Sequence, residues 1–143
     1  MSIRSYVQRD VRRIGPNESA REAAQRMTQE NVGCLIVEER GHVTGLLTDR
    51  DVALEILCNR LDPSAVPVRQ LVRQPLVTLD EDASIREAVD LIRLHGIRRL
   101  PVVGAAGDLV GIVTADDLTM LFVSQLDNIS DAVQRQLPHG AGG

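Results

Sequence analysis

The segment GHVTGLLTDRDVALEIL at residues 41–57 recurs as GDLVGIVTADDLTMLFV at residues 107–123. A chain that repeats itself at so long a period is built from two copies of one supersecondary unit, and this constrains the fold before any single residue is read. Ser19-Ala20-Arg21-Glu22-Ala23 aligns with Ser84-Ile85-Arg86-Glu87-Ala88, and Val32 to Val37 aligns with Ile97 to Val102. Val7 falls opposite Val72. The register shifts by one residue at the turn before Gly41 and Gly107, where a hairpin loop tolerates an insertion. Gly45, Thr48 and Asp51 then match Gly111, Thr114 and Asp117. Each copy has about 60 residues, too few to bury a good core alone, and two copies facing each other could share one.

Local chemistry gives the same order of elements twice. Ser19 and Ser84 read as helix N-caps, each with a glutamate three residues on (Glu22 and Glu87), which makes a capping box. Ala23, Ala24 and Met27, and Ala88, Val89, Leu91 and Ile92, carry helical apolar spacing. Leu35 to Val37 and Leu100 to Val103 are short strand-type runs. Turns at Gly41 and Gly107 lead to return strands over Val43–Leu47 and Leu109–Val113, then to helices from Asp49 and Ala115. Each copy is a short lead strand, helix, strand, strand and helix. The expected boundaries are 1–62 for the first copy, 63–124 for the second, and 125–143 for a C-terminal helix and flexible tail. Pro63 and Pro67 stop any helix in the linker. Val68–Val72 reads as a short segment entering copy two. Ile129, Val133 and Leu137 give the last helix its apolar spacing, with Pro138 as its stop.

Composition removes several classes of function. A net charge of −4 argues against a general nucleic-acid footprint. The aromatics are limited to Tyr6 and Phe122, too few for a base-stacking surface. All 16 Lys+Arg residues are arginine, which excludes a phosphate-loop or Schiff-base lysine. Cys34 and Cys58 lack metal-clip or redox spacing, and His42, His95 and His139 are scattered. No activated nucleophile is visible, so no enzyme, metal site or required cofactor is expected. No apolar run approaches the roughly 18 residues of a membrane span, and a cytoplasmic location is the default expectation.

The pattern apolar-Gly-apolar-apolar-Thr-x-x-Asp resembles the CBS domain. It stands as Gly45-Leu46-Leu47-Thr48-Asp49-Arg50-Asp51 and as Gly111-Ile112-Val113-Thr114-Ala115-Asp116-Asp117, the latter after His95-Gly96-Ile97-Arg98-Arg99-Leu100-Pro101-Val102-Val103. The tandem arrangement resembles a Bateman module over roughly residues 4–124. The resemblance implies an α/β CBS-domain pair of two pseudo-symmetric β-α-β-β-α units with packed sheets and two clefts between them. It further implies a stand-alone regulatory homodimer that acts on an unidentified protein and binds an adenosine-containing ligand such as AMP, ADP, ATP or S-adenosylmethionine. The alternative is a dimeric interaction scaffold with vestigial clefts.

By the same resemblance, one cleft would combine Leu46, Thr48 and Asp51 with Thr78, Ile97, Arg98, Arg99 and Pro101. The other would combine Ile112, Thr114 and Asp117 with Gly15, Val32, Gly33, Cys34 and Ile36. The chemistry suits a nucleotide: a helix start favours an anion, and an ionised carboxylate accepts both hydroxyls of a ribose diol. Gly33 and Cys34 stand where copy two has Arg98 and Arg99, so the clefts are expected to be unequal, with phosphate preferring the arginines. Ile36 replaces the family's usual proline, and Arg12-Arg13 stand opposite Val77-Thr78. The Thr-x-x-Asp pairs are also plausible capping boxes with no ligand at all, and one residue can serve both ends. Arg98 and Arg99 are equally open to pairing with surface carboxylates, and Cys34 to a small buried packing role.

Overall fold

The computed structural model describes residues 1–136. Leu137, Pro138 and the glycine-rich end therefore lie outside the described residues. The first copy contains β1 (Arg13–Ile14), α1 (Ala20–Glu30), β2 (Cys34–Glu39), β3 (His42–Thr48) and α2 (Asp49–Cys58). The second contains β4 (Leu79–Asp80), α3 (Ile85–His95), β5 (Arg99–Val103), β6 (Leu109–Thr114) and α4 (Ala115–Gln136). This is the expected mixed α/β architecture of two like units.

The elements begin and end where local chemistry dictates. Ser19 and Ser84 each close a full capping box with Glu22 and Glu87. Asn31 and Gly96 end α1 and α3 in the left-handed region. Each copy makes a three-stranded sheet, β1-β2-β3 and β4-β5-β6, with the lead strand parallel and the hairpin antiparallel. Both hairpins carry a register shift at the corresponding place, at Val37/Glu38 and Val102/Val103.

Strand alternation divides each sheet between two faces. Leu35, Val37 and Leu47 join Ala20, Ala23, Met27 and Val52 in one core beneath α1 and α2. Leu100, Val102 and Val113 join Ile85, Ala88 and Leu118 in the other. Ile36, Pro101 and Ile112 point the opposite way by parity, yet they are buried too. The far faces of the two sheets are therefore covered, and β3 and β5 approach one another across that seam.

The lead segments are exchanged, which the expected boundaries did not include. Ile3 is fully buried in the second core, with Tyr6 and Val7 packed beside it. Ile3 N–H donates to Ala83 O at 3.0 Å, and Gln8 and Ile112 exchange both backbone bonds at 2.9 Å. In return Val66, Val68 and Leu71 lie in the first core, with Val72 against it. Val68 N–H donates to Glu18 O at 2.8 Å. Residues 68–72 thus do not enter the core of copy two; Val68–Gln70 forms a 3-10 turn that completes copy one. The motif glycines permit this crossing. A Cβ on Gly111 would stand 2.3 Å from Gln8 O, and one on Gly45 would stand 2.8 Å from Val72 Cγ1.

The expected break after residue 124 is also absent, because α4 runs unbroken to Gln136. No glycine or proline interrupts Ala115–Gln136, so the helix meets no stop in that span. Beyond the sheet, α4 leaves Leu126, Ile129 and Val133 exposed.

Candidate functional site

The two helix starts are built alike. Thr48 Oγ1 accepts from Asp51 N–H at 3.1 Å, and Asp51 Oδ2 accepts from Thr48 N–H at 3.1 Å. Thr114 Oγ1 accepts from Asp117 N–H at 3.1 Å. Asp49 N–H donates to Gly33 O at 3.0 Å, and Ala115 N–H donates to Arg98 O at 2.8 Å. Each helix start is thereby pinned to the residue just before the first strand of the hairpin in its own copy. Both threonines cap, as the spacing predicts, but among the described residues the reciprocal bond that closes the box is made by Asp51 and not by Asp117, whose Oδ2 takes Gln8 instead.

The exchanged segments bring a partner to each aspartate from the other copy. Arg73 Nε lies 3.0 Å from Asp51 Oδ1. Gln8 Nε2 donates to Asp117 Oδ2 at 2.6 Å. These contacts place the lead segment of each copy beside the helix start of the other, through residues that neither expected grouping contained. Sequence reasoning missed Gln8 and Arg73. The repeat could have found them, since they directly follow the aligned pair Val7 and Val72. The Asp51 side chain keeps only 9% of its surface exposed, whereas that of Arg73 is 77% exposed. Both carboxylate oxygens of Asp51 are engaged, one by a backbone N–H and one by a guanidinium.

Between the helix starts lies the seam. Ile36 pairs in register with Leu46, and Pro101 with Ile112. Leu46 is half-buried and the other three are buried. Cys34 and Arg99 occupy equivalent places in the repeats, and the Arg99 guanidinium lies near enough to act on the Cys34 thiol. Burial pushes that thiol up, Arg99 pulls it down and Asp49 pushes it up again, with a net rise. The group is an uncharged packing thiol at neutral pH, not an activated nucleophile.

Some expected cleft residues face elsewhere. Val32 and Ile97 pack on the cores of their own copies. The cause is local: Val32 N–H donates to Met27 O at 3.0 Å and Ile97 N–H to Ile92 O at 3.2 Å, directly after the left-handed cap residues. That closure folds an apolar residue back onto its own helix. Arg98 pairs with Asp116 at 2.9 Å at the surface, so the surface-pairing alternative for it is the one realised. Gly15 N–H donates to Glu18 Oε2 at 2.6 Å. Thr78 is half-buried just before β4. Arg13 turns to Glu38 at 2.7 Å, and Arg12 to Asp10 and Glu30.

A cavity of about 520 Å³ opens between α1 and α2, lined by Ala24, Met27, Val52, Ala53 and Ile56 among others. Val32 reaches it, but the remaining cleft residues do not. Among the described residues, no group of three or more His, Cys, Asp or Glu could hold a metal ion. No helix among them is long and apolar enough to cross a membrane.

Two units, each with a Thr-x-x-Asp helix start and a crossed lead segment, can be compared with known proteins. The sequence model of the CBS domain matches residues 3–57 and again 68–124. The chain belongs to the CBS domain family. It is 38% identical to the CBS domain-containing protein YhcV of Bacillus subtilis, over 90% of this chain and 89% of that one. It is 37% identical to the uncharacterized protein MK0525 of Methanopyrus kandleri over 82% of this chain, and spans only 61% of that relative. In structure it resembles Hypoxic Response Protein I, solved with two coordinated zinc ions, at a TM-score of 0.76 and 32% identity. That match covers 84% of this chain and 98% of the other. The CBS pair explains the duplicated architecture, with one CBS domain on either side of the Pro-containing linker.

Proposed function

We propose that this CBS pair is a non-catalytic regulatory module that binds an adenine nucleotide at the edge of the seam between its repeats. The carrying observation is reciprocal. Each helix-start carboxylate, Asp51 or Asp117, accepts a hydrogen bond or ion pair from the lead segment of the other repeat. A ribose diol offers O–H donors of the kind such a carboxylate accepts. Leu46, half-buried at the seam, supplies an aliphatic wall for a base in a chain with almost no aromatics. Arg99 and Arg73 supply guanidinium groups suited to phosphate on the Asp51 side. Ligand binding regulates by holding the two repeats in one relative arrangement, which requires unequal affinity for two states. The exposed apolar residues of α4 support the homodimer expected of such a module, acting in the cytoplasm on a separate protein.

The test is calorimetry and thermal shift with AMP, ADP, ATP and S-adenosylmethionine. Ligand at a hundred times its dissociation constant raises stability by about 2.7 kcal/mol. Asp117→Ala, which removes a charged acceptor, should weaken binding by roughly ten- to a hundredfold. Full affinity in both Asp117→Ala and Asp51→Ala would refute the ribose assignment. A second reading, an interaction scaffold with self-filled clefts, is favoured by the burial of Ile36, Pro101 and Ile112 and by the full engagement of Asp51. A flat panel at millimolar ligand would select it.

A further inference from the structure

The two repeats differ most instructively at the contact they share. Gln8 and Arg73 occupy equivalent places, both one residue past an aligned valine, and both reach across to a helix-start aspartate. Gln8 offers Asp117 a neutral amide at 2.6 Å. Arg73 offers Asp51 a guanidinium at 3.0 Å. A ligand diol that takes an oxygen of Asp117 displaces a dipole, whereas one that takes Oδ1 of Asp51 must displace a cation. The carboxylate of Asp51 is thus already paired with a cation of the protein, while that of Asp117 meets a neutral amide.

We infer that Arg73 is an internal competitor for the Asp51 site, so that the Asp117 site fills first and the Asp51 site fills only at higher ligand concentration. This inference rests on the nucleotide reading above. It gives one chain two thresholds for the same ligand, set by one residue difference between the copies. The competitor is mostly solvent-exposed, so its effect is modest. An exposed ion pair is typically worth no more than about 1 kcal/mol, which corresponds to roughly fivefold in affinity.

The experiment uses the intact chain and isothermal titration with adenosine, which carries no phosphate that Arg73 could attract. The parent is expected to show two unequal binding steps. Arg73→Gln, which copies the amide of the other repeat, should strengthen the weaker step by two- to fivefold and leave the tighter one unchanged. Gln8→Arg should weaken the tighter step by a similar factor. If the parent binds adenosine and Arg73→Gln leaves the weaker step unchanged or weakens it, the competition is refuted while nucleotide binding stands. If neither the parent nor either variant binds adenosine or AMP, the nucleotide reading fails and this inference fails with it. Thermal melts of both variants without ligand separate a binding effect from a folding one, because a changed contact at this surface should move the melt by no more than about 4 °C.

Discussion

The third residue of the chain should be one of its more important core residues, against the usual fraying of termini. Ile3 has no exposed surface, and it sits in the core of the second repeat among Leu79, Ile85 and Leu100. Its backbone is held by Ala83 O, and Met1 O accepts from Ile85 N–H at 3.1 Å. Ile3→Ala removes three carbons. At about 0.8 kcal/mol for each buried methylene, the transfer loss alone is about 2.4 kcal/mol, and the unfilled space adds to it. The expected destabilisation is therefore about 2–4 kcal/mol. For a chain this size about 4 °C of melting temperature accompanies each kcal/mol, so the melt should fall by about 10 °C or more. The equivalent Val68→Ala removes two carbons from the first core and should lose about 1.6 kcal/mol before any cavity contribution. Urea unfolding followed by far-UV circular dichroism is the assay, since the chain has no tryptophan. The midpoint should drop with little change in slope. Arg4→Ala is the control: Arg4 is exposed and pairs only with Asp82 and Glu81 at the surface, so it should shift stability by less than about 1 kcal/mol. An Ile3→Ala variant within about 0.5 kcal/mol of the parent, the range of an ordinary surface change, would refute the exchange of lead segments as the closure of core two.

Two further outcomes follow from the same structure. Gly111→Ala sets a Cβ against the backbone oxygen of Gln8, whereas Gly45→Ala meets only the side chain of Val72. Gly111→Ala should therefore be the worse of the two, near the upper end of the roughly 1–3 kcal/mol range for overpacking, with faster hydrogen exchange at the Gln8 and Ile112 amides. Equal melts for the two variants would contradict the difference between a rigid and a movable neighbour. Stability should also fall in acid. Burial pushes the Glu18 carboxyl up, but bonds from Arg26 and the Gly15 N–H outweigh it and leave the group below its usual range. Hydrogen bonds from the Ser84 backbone and hydroxyl likewise lower Glu87. A carboxyl lowered on folding stabilises fully above its unfolded pKa, and that contribution disappears as pH falls through the folded value. Melting temperatures measured from neutral pH downward should decline through the carboxylate range, and less steeply in Glu18→Gln. A slope unchanged by that substitution would remove Glu18 from the account.

The parts of the fold that could be read from sequence are those set within a few residues. A Ser-x-x-Glu box needs only its own turn, so Ser19 and Ser84 declared two helix starts outright. Thr48 and Thr114 did the same for α2 and α4. The orientation of Val32 and Ile97 was also a local matter. It followed from the closing turn after Asn31 and Gly96, and the family resemblance obscured it by assigning both to a cleft. The exchange of lead segments is different in kind. Ile3 and Val68, Tyr6 and Leu71, and Val7 and Val72 are equally apolar, so hydrophobic pattern cannot choose which segment enters which core. That choice depends on contacts between residues as far apart as Gln8 and Ile112. The site inherits this limit. Asp51 and Asp117 were legible as carboxylates at helix starts, but their occupation by Arg73 and Gln8 exists only because the segments cross. The duplication sharpens the point. Core equivalents stay apolar, as at Leu35 and Leu100, Val37 and Val102, and Leu47 and Val113. The changes of charge fall at exposed or half-buried positions, on the outer helices as at Thr28 and Arg93 and around the seam at Gln8 and Arg73, Gly33 and Arg98, Cys34 and Arg99, and Arg50 and Asp116. Burial holds the first set to one chemistry in both copies. Nothing in folding requires the second set to match, so the two edges of the seam are free to become electrostatically unequal while the scaffold that carries them stays the same.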